Sequence, residues 1–189
     1  MAGGKRTVRR PRLAAYNLLT MDADRTDLAV VDKRALGGFK VTSLWTGRKV
    51  GRIPPSVKLT LGPGKPPDLM GNGLSWMIVS ERFVQAATPF TGDDVEFLPL
   101  AITVPGPAGP VRYFVANPLR EVDAVKAKGD KSKVTLFELV IDPAAVPGDC
   151  HLFRLKYQIN IFLVSAALAE VLLEKAPEGV HIEPVKVAD

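Results

Sequence analysis

Cysteine and histidine are almost missing from this chain of 189 residues, which has one Cys, at position 150, and two His, at 151 and 181. A lone cysteine excludes an intramolecular disulfide, and three such residues without zinc-site spacing leave no basis for a metal centre. No Asn-x-Ser/Thr glycosylation acceptor occurs. Long apolar runs are lacking as well. The cleanest, Ile161–Ala169, is far short of the ~20 residues that a membrane-spanning helix requires. Leu13–Met21 is interrupted by Tyr16, Asn17 and Thr20, so it does not read as the apolar core of a secretory leader, and the expected location is the cytoplasm. Aromatics make up only 7% of the chain, whereas 16 Gly and 16 Pro favour a mixed, loop-rich fold over long helical bundles.

Acidic residues are absent from two stretches. Residues 1–12 hold five bases, and residues 33–67 hold eight more without an acid, whereas 68–189 carry 11 bases against 16 acids. The net charge of +5 is therefore concentrated toward the N-terminal third, an asymmetry that suits an electrostatically steered partner. The sequence predicts a basic, disordered tail over 1–12 and a single α+β domain over 13–189. Within that domain, 13–73 reads as a β- and loop-rich part and 74–189 as a two-unit part.

Local pattern sets most of the expected elements. Leu13–Leu19 and Leu28–Val31 read as strands around a polar turn at 21–26, and Val57, Leu59 and Leu61 alternate with polar residues as in a half-buried strand. The run GPGKPPDLMGNG (62–73) excludes a helix or a central strand and reads as a surface crossing. Val79, Phe83, Ala86/Ala87 and Phe90 recur at helical spacing after Ser80, predicting a helix over Ser80–Ala87 followed by a strand over Val95–Val104. The pattern returns 85 residues later, with Val164-Ser165 for Val79-Ser80 and Val180, Ile182 and Pro184 for Val95, Phe97 and Pro99. The fold class is thus α+β, with two similar strand–helix–strand units plus a β-rich, loop-rich N-terminal portion. Val111–Ala116, Val134–Ile141 and Leu152–Leu155 read as further strands, and Lys126–Lys133 as a solvated hairpin.

Candidate chemistry is thin. Cys150 and His151 are adjacent, which on an extended chain sends them to opposite faces rather than together as nucleophile and base. His181 falls mid-strand on the solvent side. The glycine-rich run lacks both phosphate-loop patterns, and its prolines remove the N–H groups such a loop uses. The carboxylate pairs Asp93-Asp94 and Glu121/Asp123 fit solvated loops. No catalytic residue, cofactor site or metal ligand is assigned. Because both helices turn their apolar stripes inward, a protein partner is expected on charged loops. The acidic loop Asp93, Asp94 and Glu96 is the first choice, and the lysine loop Lys126, Lys128, Lys131 and Lys133 is the other.

The segments VSERFVQA…VEFLPLAI, RYFVANPLREVDAV, LVIDPAAVP…HLFRL and LVSAALAEVLLEKAPEGVHIEPV, with SLWTGRKVGRIPPSVKLTLGPGKPPDLM before them, resemble one family. It is the immunity-protein family of bacterial polymorphic toxin systems, typified by a myxobacterial domain, and the resemblance runs from about Leu44 to Val187. It implies a non-enzymatic protein that binds and neutralises a cognate toxin encoded nearby. It also implies structural roles for the matching Trp45, Asp68, Ser80, Glu81, Arg82, Asn117, Phe153 and Arg154. Ser165-Ala166 departs from the Ser-Glu common at that helix start. The second reading, carried by charge alone, is a nucleic-acid or anionic-surface binder acting through residues 1–67, which a steep salt dependence of binding to generic DNA or RNA would reveal. The sequence specifies no oligomeric state.

Residues 1–12 hold too little apolar surface to offset the entropy of ordering them. A chain starting at Leu13 is expected to melt within about 2 °C of the full chain by calorimetry, and a larger drop would show that the tail docks on the domain.

Overall fold

Capping serines and alternating apolar residues place the elements of the computed structural model, which describes residues 13–21, 29–30, 36, 38–62, 65–103 and 111–188. The basic tail, the turn at 22–26 and Lys33-Arg34 lie outside the described residues. In chain order the elements are β1 (Tyr16–Met21), β2 (Ala29–Val30), β3 (Lys58–Leu61), β4 (Leu69–Met70), β5 (Met77–Ser80), α1 (Glu81–Thr91), β6 (Val95–Thr103) and β7 (Tyr113–Pro118). There follow β8 (Glu121–Val122), β9 (Val140–Ile141), β10 (Leu152–Leu155), β11 (Gln158–Ser165), α2 (Ala166–Lys175), β12 (Val180–Pro184) and β13 (Lys186–Val187). One sheet has the order β2-β3-β6-β7-β5-β4, a second β12-β1-β11-β10-β8, and β13 pairs with β9 alone. The class is α+β.

The two units are the same device. In the first, β5 and β6 are parallel and α1 connects them, with β7 inserted between and antiparallel to both. In the second, α2 joins β11 and β12, and β1 takes the inserted place. Each is a split β-α-β unit. The registers coincide under the 85-residue offset: Ser80 faces Tyr113 and Ser165 faces Tyr16, while Val95 faces Pro118 and Val180 faces Met21. The outer hairpins match too, with Leu69 opposite Val79 and Leu152 opposite Val164. The inserted strand follows its unit in the first case. In the second it arrives from far upstream, so β1 is an interior strand of the C-terminal sheet.

Both helices begin on a serine whose hydroxyl accepts an N–H, from Phe83 in α1 and from Leu168 in α2. The helices pack on each other and share one core cluster with one face of each sheet, including Phe83, Ala87, Leu168, Leu172, Val95 and Val180. The opposite face of the first sheet buries Leu59, Leu61, Ile78 and Leu98 in a cluster with Trp76, against which Trp45 packs. The opposite face of the second buries Phe153, Leu155 and Leu163 under residues 122–146.

Three expectations are corrected. The first helix runs one turn beyond Ala87 to Thr91 despite Pro89, because Phe90 packs on the core and Gly92, at φ 47°, ends the helix in a conformation that disfavours a side chain. The run at 62–73 is not all surface: Lys65 and Gly73 are exposed, but Pro67 to Gly71 are buried, and β4 pairs with β5 at the edge of the sheet. Val134–Ile141 is not a strand. Thr135 and Glu138 close a capping box around a 3₁₀ turn, leaving only Val140–Ile141 extended.

The equivalent serines are not equivalent energetically. Ser165→Ala removes a cap and is expected to cost about 1 kcal/mol. Ser80→Ala also strips a donor from buried Asp68 (2.5 Å), so chemical denaturation should give a loss of about 2–3 kcal/mol. Equal losses would contradict this ordering.

Candidate partner-binding surface

Asp68 is the hub of the first polar cluster. It precedes β4, is fully buried, and its carboxylate accepts from Ser80 Oγ, from Arg82 Nε (3.0 Å) and Nη2 (2.9 Å), and from the Glu178 backbone N–H (3.1 Å). Glu178 sits between α2 and β12, and its carbonyl accepts from the Asp68 and Leu69 amides, while its side chain meets Lys65. One carboxylate thus ties the first unit to the second. Arg82 is half-exposed at the rim, and Glu81 at the first turn of α1 faces Arg112 at 3.6 Å. The corresponding position of the second unit is held by His151, whose Nδ1 lies 2.8 Å from Ser165 Oγ, with Phe90 edge-on to the ring at 5.4 Å.

The second cluster surrounds Arg154. This arginine is buried with no carboxylate in ion-pair contact among the described residues, donating to the carbonyls of Pro118 and Leu44 and to Asn117 Oδ1, and lying over the Phe162 ring at 5.6 Å. Its Nη1 is the one buried side-chain polar atom without a partner among the described residues. Asn117 in turn donates to the Arg48 carbonyl and to Glu96. Trp45 is half-buried and donates to the Leu74 carbonyl (3.2 Å), and Phe153 is fully buried edge-on to Tyr16.

These bonds absorb most of the acidic loop. Glu96 accepts from the Val50 and Gly51 amides at 2.9 and 2.7 Å, and Asp94 pairs with Arg120, which also reaches Asp149. Asp93 alone of the three is exposed, with no bond to another of the described residues. The lysine loop is divided: Lys131 pairs with Asp123 (2.7 Å) and Lys133 with Asp130 (3.6 Å), whereas Lys126 and Lys128 are exposed with no acidic partner among the described residues. The acidic loop is thus bonded to Val50, Gly51 and Arg120, while half of the lysine loop's lysines project freely from the described residues.

The one cysteine is not activated as a nucleophile. Burial pushes the Cys150 thiol up to about 11, with Asp94 and Asp149 adding to the effect and Arg120 opposing it, so the reactive thiolate is scarce at neutral pH. His151 turns to Ser165 and away from Cys150, which packs in the core beneath the second sheet. His181 is exposed on β12 beside Glu183 (2.8 Å). Among the described residues no cluster of three or more His, Cys, Asp or Glu is suited to hold a metal, and no helix is long and apolar enough to cross a membrane. Sequence reasoning missed the exposed pair Leu136-Phe137 and the His151–Ser165 contact. The T-x-x-E pattern of residues 135–138 was a legible sign of the first; the second depends on a hairpin register that no local pattern reveals.

Burial acts to raise the Glu96 carboxyl, but the Val50 and Gly51 amides, Asn117 and Lys49 outweigh it and hold the group below its ordinary 4.5. A lowered folded pKa gives stability that is full above the unfolded value and lost as pH falls through the folded one. The stability gap between the native chain and Glu96→Gln is therefore expected to be constant above pH about 5 and to close on acidification below about 4.5 in urea titrations at several pH values. A gap independent of pH would refute the ionic role.

The model of an immunity protein family (Imm11) matches residues 33–187, which take in both helices and the strands from β3 to β13 but not β1 or β2. No curated protein matches the chain.

Proposed function

Because the chain belongs to the Imm11 immunity protein family, we propose that it binds a cognate bacterial toxin and neutralises it by occlusion, without catalysis and in the cytoplasm. The family match over most of the chain carries this reading. The packing adds to it: both helices commit their apolar residues to the core, Phe83, Ala87, Leu168 and Leu172 being fully buried. That leaves loops as the contact surface, where shape and charge decide the partner. Asp94 and Glu96 are engaged within the fold, so the lysine loop, through Lys126 and Lys128, is the better contact of the two. Its charge suits an acidic face on the toxin.

The test is co-expression with the toxic C-terminal domain encoded by the adjacent gene. Cells carrying both are expected to grow, cells carrying the toxin alone to arrest, and the two proteins to co-purify. Arrest despite soluble expression of both, with no complex on co-purification, would remove the immunity role for that pair.

A further inference from the structure

Phe137 is 91% exposed and Leu136 50% exposed, side by side on the surface. Isolated exposed apolar residues are ordinary, but these two are held in place. The Thr135 hydroxyl donates to Glu138 Oε2 (2.8 Å), and the same oxygen accepts the Thr135 amide (3.3 Å). Glu138 N and Leu139 N close the turn onto the carbonyls of Thr135 and Leu136. Buried Leu139 anchors it in the core under the second sheet, and Gln158 Nε2 donates to the carbonyls of Lys131 and Val134 just before it. The ring is thus presented on a braced turn, which lowers the entropy lost when it is covered.

Two further features adjoin it. A cleft of about 350 Å³ runs between Leu136-Phe137 and the Pro184–Lys186 segment, floored by Leu18 and Leu139, so the apolar surface is continuous rather than a single side chain. The charges around it are mixed, with a cationic surplus. Asp123 and Asp130 are paired with Lys131 and Lys133, whereas Glu138, bonded to the Thr135 hydroxyl, and Glu183, beside His181, keep their negative charge. Lys126, Lys128 and Lys186 are exposed and have no acidic partner among the described residues, so they outnumber those two carboxylates.

We infer that the Leu136-Phe137 turn is the anchor of the toxin-binding surface, inserting into an apolar concavity whose rim is acidic and faces Lys126, Lys128 and Lys186. This rests on the immunity reading. An aromatic anchor ringed by charges is the arrangement in which one side chain carries a large share of affinity while the rim sets the association rate.

The experiment uses the full chain and the toxic domain of the adjacent gene product, with affinity and rates measured by surface plasmon resonance and protection measured in co-expressing cells. Phe137→Ser is expected to weaken binding about 30-fold or more, chiefly through faster dissociation. Phe137→Leu, which keeps an apolar side chain, should lose less than about fivefold. Lys126→Glu with Lys128→Glu should slow association about tenfold and flatten its salt dependence. Melting temperatures should agree within about 2 °C, since the altered side chains are exposed. If the native chain binds and protects while Phe137→Ser and the double reversal bind within about threefold of it, the surface lies elsewhere and the immunity reading stands. If the native chain neither binds nor protects, both fall. A dimer of the native chain in light scattering that Phe137→Ser dissolves would assign the turn to a second copy and overturn the inference.

Discussion

A single fully buried carboxylate governs how the halves of this protein meet. Removing an ion such as Asp68 from water costs several kcal/mol, which is offset only when its oxygens are saturated with well-placed donors. Asp68 has four, from the β5–α1 junction and from the loop before β12. Hydrogen bonds to a charge are directional and short-ranged, so the first unit can approach the second in one way. The reciprocal backbone bonds between Asp68, Leu69 and Glu178 reinforce that choice. Displacing either half strands a charge in the interior, which penalises alternative packings more than apolar contact alone does.

The two units answer one geometric need with different chemistry. Each has a residue before the outer hairpin strand that reaches the capping serine of its helix: Asp68 to Ser80, His151 to Ser165. The backbone repeats the match, for the Ser80 amide donates to Asp68 and the Ser165 amide to His151. The first pair meets the boundary between units with a carboxylate held by Arg82 and the Glu178 amide. The second closes against Phe90 from the other helix with an imidazole ring. Equal backbone geometry thus coexists with side chains that share nothing but reach and a polar tip.

How much of this was legible follows from the range of each interaction. Ser80 and Ser165 announced their helices because a cap and an apolar stripe lie within one or two turns of chain, and Leu59 and Leu61 announced β3 because alternation is local. The repeat was visible as spacing, and it reappeared as identical register. The interior position of β1 was not legible: Tyr16 pairs with Ser165, and nothing near Tyr16 encodes a partner so distant. Pro67–Gly71 read as surface because its prolines and glycines look like a turn, whereas burial there is imposed by Asp68 and its donors. Residues 134–141 read as a strand because apolar content was weighed above the capping box. Of the proposed binding residues, the sequence located the charges, but which were free depended on pairings such as Asp94–Arg120 and Glu96 with the Val50 and Gly51 amides.

The upstream origin of β1 has a consequence for how the chain acquires its shape. The first unit's strands β4 to β7 are contiguous, so they can assemble as soon as Pro118 has emerged from a ribosome. The second sheet cannot: β1 is synthesised early and waits, its edges unsatisfied, until β11 and β12 exist. Pairings of such long sequence separation are the slow step in β-rich folding. The second sheet therefore closes only when its later strands reach back to the earliest one.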